Sequence, residues 1–146
     1  MRRTLKVVGA AAAAATCVLA ATSGTAQAEA PKTKSLYAPS ALVLTVGQGE
    51  DATSASVERA VTLTCTPRPA GSHPAAGAAC AELRKVDGRF GQLVAAETGV
   101  ACTKEWRPVT VNVAGVWNGR HVNWSATFGN RCELHAGLGE GAALTF

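Results

Sequence analysis

The chain has 146 residues, 47% hydrophobic and 16% charged, with 14 Lys and Arg against 10 Asp and Glu. Three of those 14 cations, Arg2, Arg3 and Lys6, stand at the very start, so beyond residue 28 the formal charge is +1. A nearly neutral chain is a poor ligand for nucleic acid, whose affinity rests on many phosphate contacts.

The basic start is followed by an apolar run from Val7 to Ala21 and by Ala26-Gln27-Ala28. Basic residues, a short apolar run and an A-x-A site describe a secretory signal peptide. The run is shorter than the about 20 residues that a membrane span needs. We therefore expect residues 1–28 to be a signal, cleaved after Ala28, and the mature protein to be exported with no membrane segment. Residues 29–35, polar with Pro31 and two lysines, are expected to be a flexible N-terminal arm, and residues 36–146 one domain.

Leu42-Val43-Leu44-Thr45-Val46 predicts a strand ended by Gly47-Gln48-Gly49, and Ala60-Val61-Thr62-Leu63-Thr64 predicts a second. Pro67 to Pro74 is turn-rich. Ala75 to Val86 predicts a helix stopped by Asp87-Gly88, and a short helical turn is expected around Leu93–Ala96. Asn118-Gly119 is a turn pair that accepts the positive φ angles of a tight hairpin. With that pair at the tip, Val109 faces Phe128, Val111 faces Ala126, Val113 faces Trp124 and Gly115 faces Val122, all non-polar. The alternate pairs, Thr110 with Thr127, Asn112 with Ser125 and Ala114 with Asn123, are mostly polar. A period-2 pattern that agrees across both strands specifies the register, because a one-residue slip would reverse the faces.

Cys17 lies in the signal, which leaves Cys65, Cys80, Cys102 and Cys132. An even count in a small exported domain reads as two disulfides, with three possible connectivities. No pair has the close C-x-x-C spacing of a structural zinc site, so no metal is expected. Extended outward, the hairpin register sets Cys102 opposite residue 135, three positions from Cys132, which leaves Cys65 for Cys80.

The three histidines, His73, His121 and His135, accompany no nucleophile motif, and no G-x-S-x-G, H-E-x-x-H or glycine-rich phosphate loop occurs. Neither an enzyme nor a cofactor is expected. The informative segment is Gly99-Val100-Ala101-Cys102-Thr103-Lys104-Glu105-Trp106-Arg107-Pro108. Cys102 anchors one end and Pro108 stiffens the other, with an aromatic and charges between them, as in a presented binding epitope. The plain alternative is a solvated connection with Trp106 folded back on the core.

From about Ser35 onward the chain resembles the Streptomyces subtilisin inhibitor family. The likeness is carried by Leu36-Tyr37-Ala38-Pro39-Ser40-Ala41-Leu42-Val43-Leu44-Thr45-Val46-Gly47, Glu58-Arg59-Ala60-Val61-Thr62-Leu63-Thr64-Cys65, His73-Pro74-Ala75-Ala76-Gly77 and Phe128-Gly129-Asn130-Arg131-Cys132-Glu133. The resemblance implies an α+β fold with a five-stranded antiparallel sheet and two short helices, disulfides 65–80 and 102–132, and a homodimer. It also implies inhibition of serine proteases, subtilisin-like and trypsin-like, through a substrate-like loop. Carried over, the reactive bond is Lys104–Glu105, two residues after the third mature cysteine, with Lys104 filling the primary pocket. Gly99, Val100, Ala101, Thr103, Trp106 and Arg107 would contact the protease. Pro108 and Asn130 would support the loop, Asn130 from behind. The resemblance to unrelated Kazal loops in Cys102-Thr103-x-Glu105-aromatic suggests that the Thr103 hydroxyl and Glu105 carboxylate hydrogen-bond across the bond. A binding module of the same fold without inhibition is the alternative.

Overall fold

A computed structural model of the chain describes residues 38–95 and 99–146. The expected signal, the arm and Leu36-Tyr37 lie outside the described residues.

Four strands are formed, β1 (Ser40–Gln48), β2 (Ser56–Thr66), β3 (Val109–Trp117) and β4 (Arg120–Phe128). They make one antiparallel sheet in the order β2-β1-β3-β4. The helices are α1 (Ala76–Lys85) and α2 (Arg131–Leu138), with a single 3₁₀ turn at Phe90–Leu93. β1 alternates as its sequence demands: Leu42 and Leu44 are buried while Ala41 and Val43 are exposed. The β3–β4 register is the one that the non-polar pairing predicted, from Val109 opposite Phe128 to Gly115 opposite Val122. Asn118 and Gly119 both take positive φ, 48° and 76°, as a two-residue hairpin turn of this type requires.

The five-stranded sheet implied by the resemblance is not what the described residues form. Residues 99–107 run outside the ladder, and Pro108 has no N–H to extend β3 backwards. The chain after the cis Thr66–Pro67 peptide returns to β2 through an isolated bridge between Thr64 and Ala70 and a His73 N–H bond to the Thr62 carbonyl at 3.1 Å, without forming a further strand among the described residues. β2 is longer than the apolar run 60–64 because its first half, Ser56–Ala60, is an exposed edge with no core pattern to reveal it. The helical turn sits earlier than Leu93–Ala96, because Phe90 buries itself against Trp124 with ring centroids 5.7 Å apart. Ala96 lies outside the described residues.

One face of the sheet carries the core. Leu42, Leu44, Val61, Leu63, Val111 and Val113 pack under Ala79, Cys80 and Leu83 of α1 and Leu134 and Leu138 of α2. Cys65 is bridged to Cys80, tying β2 to α1 with Cα atoms 5.5 Å apart. Closing a loop of this separation is worth roughly 3 kcal/mol in the chain-entropy model. Just past the end of α1, Asp87 and Gly88 both take positive φ. Gly88 is required there, because a Cβ would lie 2.5 Å from the Trp117 ring. The other face bears short side chains, among them Val43, Thr45, Asn112 and Ala114.

His73 is buried at 4% exposure; its Nδ1 accepts the Ala75 N–H at 3.1 Å and its ring meets Phe146. Burial is the main cause that lowers its pKa from 6.5, opposed in part by the Ala143 backbone. Since the fold resists the charged ring, the unfolded chain takes up the proton first. Stability is therefore full above about pH 6.5 and falls as the pH drops from there towards the lowered pKa. Denaturant titrations between pH 7 and pH 5 are expected to show this loss, and His73→Asn to flatten it.

Candidate functional site

The segment 99–108 links the 3₁₀ turn region to β3 along one end of the sheet. Thr103, Lys104, Glu105, Trp106 and Arg107 are all exposed. Trp106 is 63% exposed, so it is not folded into the core. Five successive exposed residues would ordinarily be loose. Here their backbone is held from behind.

The holding begins with α2. Asn130, in extended conformation at the end of β4, is its N-cap: Oδ1 accepts the Glu133 N–H at 3.0 Å. The Glu133 carboxylate reaches back to the Gly129 N–H at 3.0 Å, so the two ends cap each other reciprocally. Capping uses only the oxygen of the Asn130 amide. Its nitrogen donates to the Thr103 carbonyl at 2.9 Å and to the Glu105 carbonyl at 3.1 Å. Those carbonyls stand on either side of Lys104, and Asn130 itself is 7% exposed. A buried amide with its oxygen and its nitrogen both engaged cannot swing away without leaving polar groups unpaired.

Three further ties act in the same direction. Cys102 is bridged to Cys132 in the first turn of α2, with Cα atoms 5.8 Å apart. Arg107 N–H donates to the Gly129 carbonyl at 2.8 Å. Pro108 offers its carbonyl to the Gly49 N–H at 2.9 Å and to Gln48 Nε2 at 2.7 Å. Lys104–Glu105 thus sits in an exposed segment tied before, behind and after the bond.

Thr103 and Glu105 are brought together, though through their backbone carbonyls on Asn130. The Glu105 carboxylate instead stands 3.8 Å from Arg107 Nε, a largely exposed pair that contributes little. Gly99, Val100 and Ala101 continue the exposed run on the side before Cys102. Gln48, Glu50 and Glu133 were not singled out from sequence. Asn130-Arg131-Cys132-Glu133 does carry a capping-box spacing that signals the start of α2. Gln48 and Glu50 lie more than fifty residues from their partners and leave no local sign.

The recesses of the surface do not compete with this segment. An apolar one of about 340 Å³ lies between α2 and the C-terminal residues, lined by Val46, Leu134, Leu138 and Phe146. A polar one of about 410 Å³ runs beneath the segment itself, between Asn130 and Gln48. Among the described residues no three His, Cys, Asp or Glu side chains gather to hold a metal ion. What distinguishes the segment is its combination of exposed side chains with a backbone tied from behind.

Comparison with known proteins agrees with that arrangement. Residues 38–130 match the model of the subtilisin inhibitor-like family. The chain belongs to the subtilisin inhibitor-like family. It is 77% identical over its whole length to the full length of a subtilisin inhibitor of Streptomyces violaceus. It is 62% identical over 102 residues to protease inhibitor SIL-V2 of Streptomyces orinoci, covering 70% of this chain and 93% of that one. Among solved structures it is similar to Streptomyces caespitosus sermetstatin in complex with Bacillus licheniformis subtilisin, with TM-score 0.70 and 42% identity. That match covers 74% of this chain and 99% of the other.

Asn130→Ser separates its two tasks, since serine caps a helix but cannot reach both carbonyls. Thermal unfolding is expected to show a loss of about 1–3 kcal/mol, near that of two partly buried hydrogen bonds. Cleavage of the chain between Cys102 and Pro108 by a broad-specificity protease is expected to accelerate at least about tenfold, as an unbraced segment becomes an ordinary substrate.

Proposed function

We propose that the protein is a secreted inhibitor of serine endopeptidases, both subtilisin-like and trypsin-like, with Lys104–Glu105 as its reactive bond. The observation that carries this reading is the buried Asn130 amide holding the carbonyls on either side of Lys104. An extended segment fixed before binding has little freedom left to lose, which favours tight association through an interface of ordinary size. The relatives named as inhibitors, and the neighbour bound to subtilisin, support the same partner class.

Lys104 sets the specificity. Its four-carbon stem and compact charge suit a deep pocket with an acidic floor, as in trypsin-like enzymes. In the broad apolar pocket of a subtilisin the stem packs while the ammonium reaches water. Gly99, Val100, Ala101 and Thr103 line the cleft before the bond, and Glu105, Trp106 and Arg107 after it. The protein acts by occupying the cleft and performs no reaction of its own.

Export follows from the basic, apolar and A-x-A pattern of residues 1–28. Protein recovered from culture medium should begin at Glu29, or a few residues later, by N-terminal sequencing; an intact Met1 contradicts the assignment. A homodimer is supported by the sheet face opposite the helices, where Val43 is 45% exposed amid short side chains that would allow a second copy to approach closely.

Stoichiometric titration tests inhibition directly. Residual activity of subtilisin and of trypsin should fall linearly to zero near one equivalent of chain, with chymotrypsin only weakly affected. Lys104→Met should weaken trypsin inhibition by 30- to several-thousand-fold, because a buried carboxylate left unpaired costs about 2–5 kcal/mol. Subtilisin inhibition should survive the change, since methionine fills an apolar pocket. Trypsin inhibition untouched by Lys104→Met would move the reactive bond elsewhere.

A further inference from the structure

The second residue beyond the Lys104–Glu105 bond is Trp106, large, apolar and 63% exposed. A solvated indole on an open segment ordinarily samples several rotamers. This one is held at two points. Its Nε1–H donates to the Glu50 carboxylate at 2.9 Å. Its far edge packs over Gly129, where a Cβ would lie 3.3 Å from Cζ3.

Glu50 belongs to the β1–β2 turn, 56 residues away along the chain, and its own position is secured on every side. Its carbonyl accepts the Thr127 hydroxyl at 2.8 Å, and the preceding Gly49 carbonyl accepts the Thr110 hydroxyl at 2.8 Å. The next residue, Asp51, accepts both the backbone N–H and the hydroxyl of Thr53 and of Ser54. Those four donors, the Ser54 hydroxyl first, draw the Asp51 carboxyl down to about 2, so the turn keeps its anion throughout the neutral range. The same turn takes the Pro108 carbonyl through Gly49 N–H and Gln48 Nε2.

The side before the bond is tied by Cys102 and by Asn130. The side after it is tied by Asn130 and Gly129 at the backbone, and by this turn through Pro108 and the Trp106 side chain. We propose that Glu50 is a positioning residue for inhibition: the β1–β2 turn fixes Trp106 in the pose in which it meets an apolar ledge of the protease beyond the scissile bond. Trp106 then enters the complex with its two side-chain torsions already set, so its contact area opposes less entropy on binding. Affinity on the leaving-group side is thereby governed from a turn remote in sequence. This inference rests on the inhibitor reading above.

The test compares wild type, Glu50→Ala, Glu50→Gln, Trp106→Phe and the Glu50→Ala/Trp106→Phe double variant, by inhibition constants against subtilisin and by thermal unfolding. Glu50→Ala is expected to weaken inhibition about tenfold and Glu50→Gln, which keeps an acceptor oxygen, no more than about twofold, in line with a hydrogen bond to a charged group. The unfolding midpoint should stay unchanged, because the Glu50 side chain is exposed. In the Trp106→Phe background, which lacks the indole N–H, Glu50→Ala should add nothing further. Full inhibition by Glu50→Ala, failure of glutamine to rescue, or an equal loss with Phe at 106 would each overturn the role of Glu50 while leaving the inhibitor reading intact. A wild-type chain that does not inhibit subtilisin would instead overturn the inhibitor reading itself.

Discussion

One side-chain amide organises the functional end of this molecule. Asn130 spends its oxygen on the first turn of α2 and its nitrogen on the carbonyls of Thr103 and Glu105. Both tasks need the residue in extended conformation at the end of β4, directly before a helix, and nearly excluded from water. Burial matters to the strength of the arrangement, because an amide hydrogen bond that water cannot replace is costly to break. The exposed segment therefore inherits the order of the helix start and sheet edge behind it.

The rest of the fold can be understood as what holds Asn130 in place. The β3–β4 hairpin delivers residue 130 at a defined height because its register is set by the inward row Val109, Val111 and Val113 against Phe128, Ala126 and Trp124. α2 is pinned to the sheet by Leu134 and Leu138, and to the segment by the Cys102–Cys132 bridge. The Cys65–Cys80 bridge does comparable work at the β2–α1 corner. A chain this short has a modest core, and covalent ties of this kind make up what apolar burial alone supplies thinly.

Legibility in the sequence followed the range of the forces involved. The hairpin register could be read because the Asn118-Gly119 turn is local and the period-2 pattern agrees on both strands. The helix expected over Ala75–Val86 lies within one residue of α1, since alanine propensity and the Asp87-Gly88 stop are also local. The edge half of β2 could not be read, because Ser56–Ala60 faces solvent and carries no apolar period. In sequence the segment 99–107 reads as a loop anchored by Cys102 and Pro108, and only the three-dimensional structure reveals that the Asn130 side chain and the Gly129 carbonyl hold its backbone. Family resemblance pointed to Asn130 as a support, while its double duty as helix cap was latent in the spacing to Glu133. The contacts made by Gln48 and Glu50 lie wholly in tertiary structure, so no reading of local pattern would have found them.

The central claim is that the segment is held on both sides of Lys104–Glu105 firmly enough to outlast attack on that bond. It is tested most directly by prolonged incubation with a catalytic amount of subtilisin, following the chain by intact mass and N-terminal sequencing. A single nick, between Lys104 and Glu105, is expected, stopping at a fixed ratio of intact to cleaved chain. Cleaved chain isolated and returned to the protease should regain the same ratio, because the new ends remain tied to α2 and to the β1–β2 turn. Progressive digestion of the segment, or a first cut at any other bond, would contradict the account.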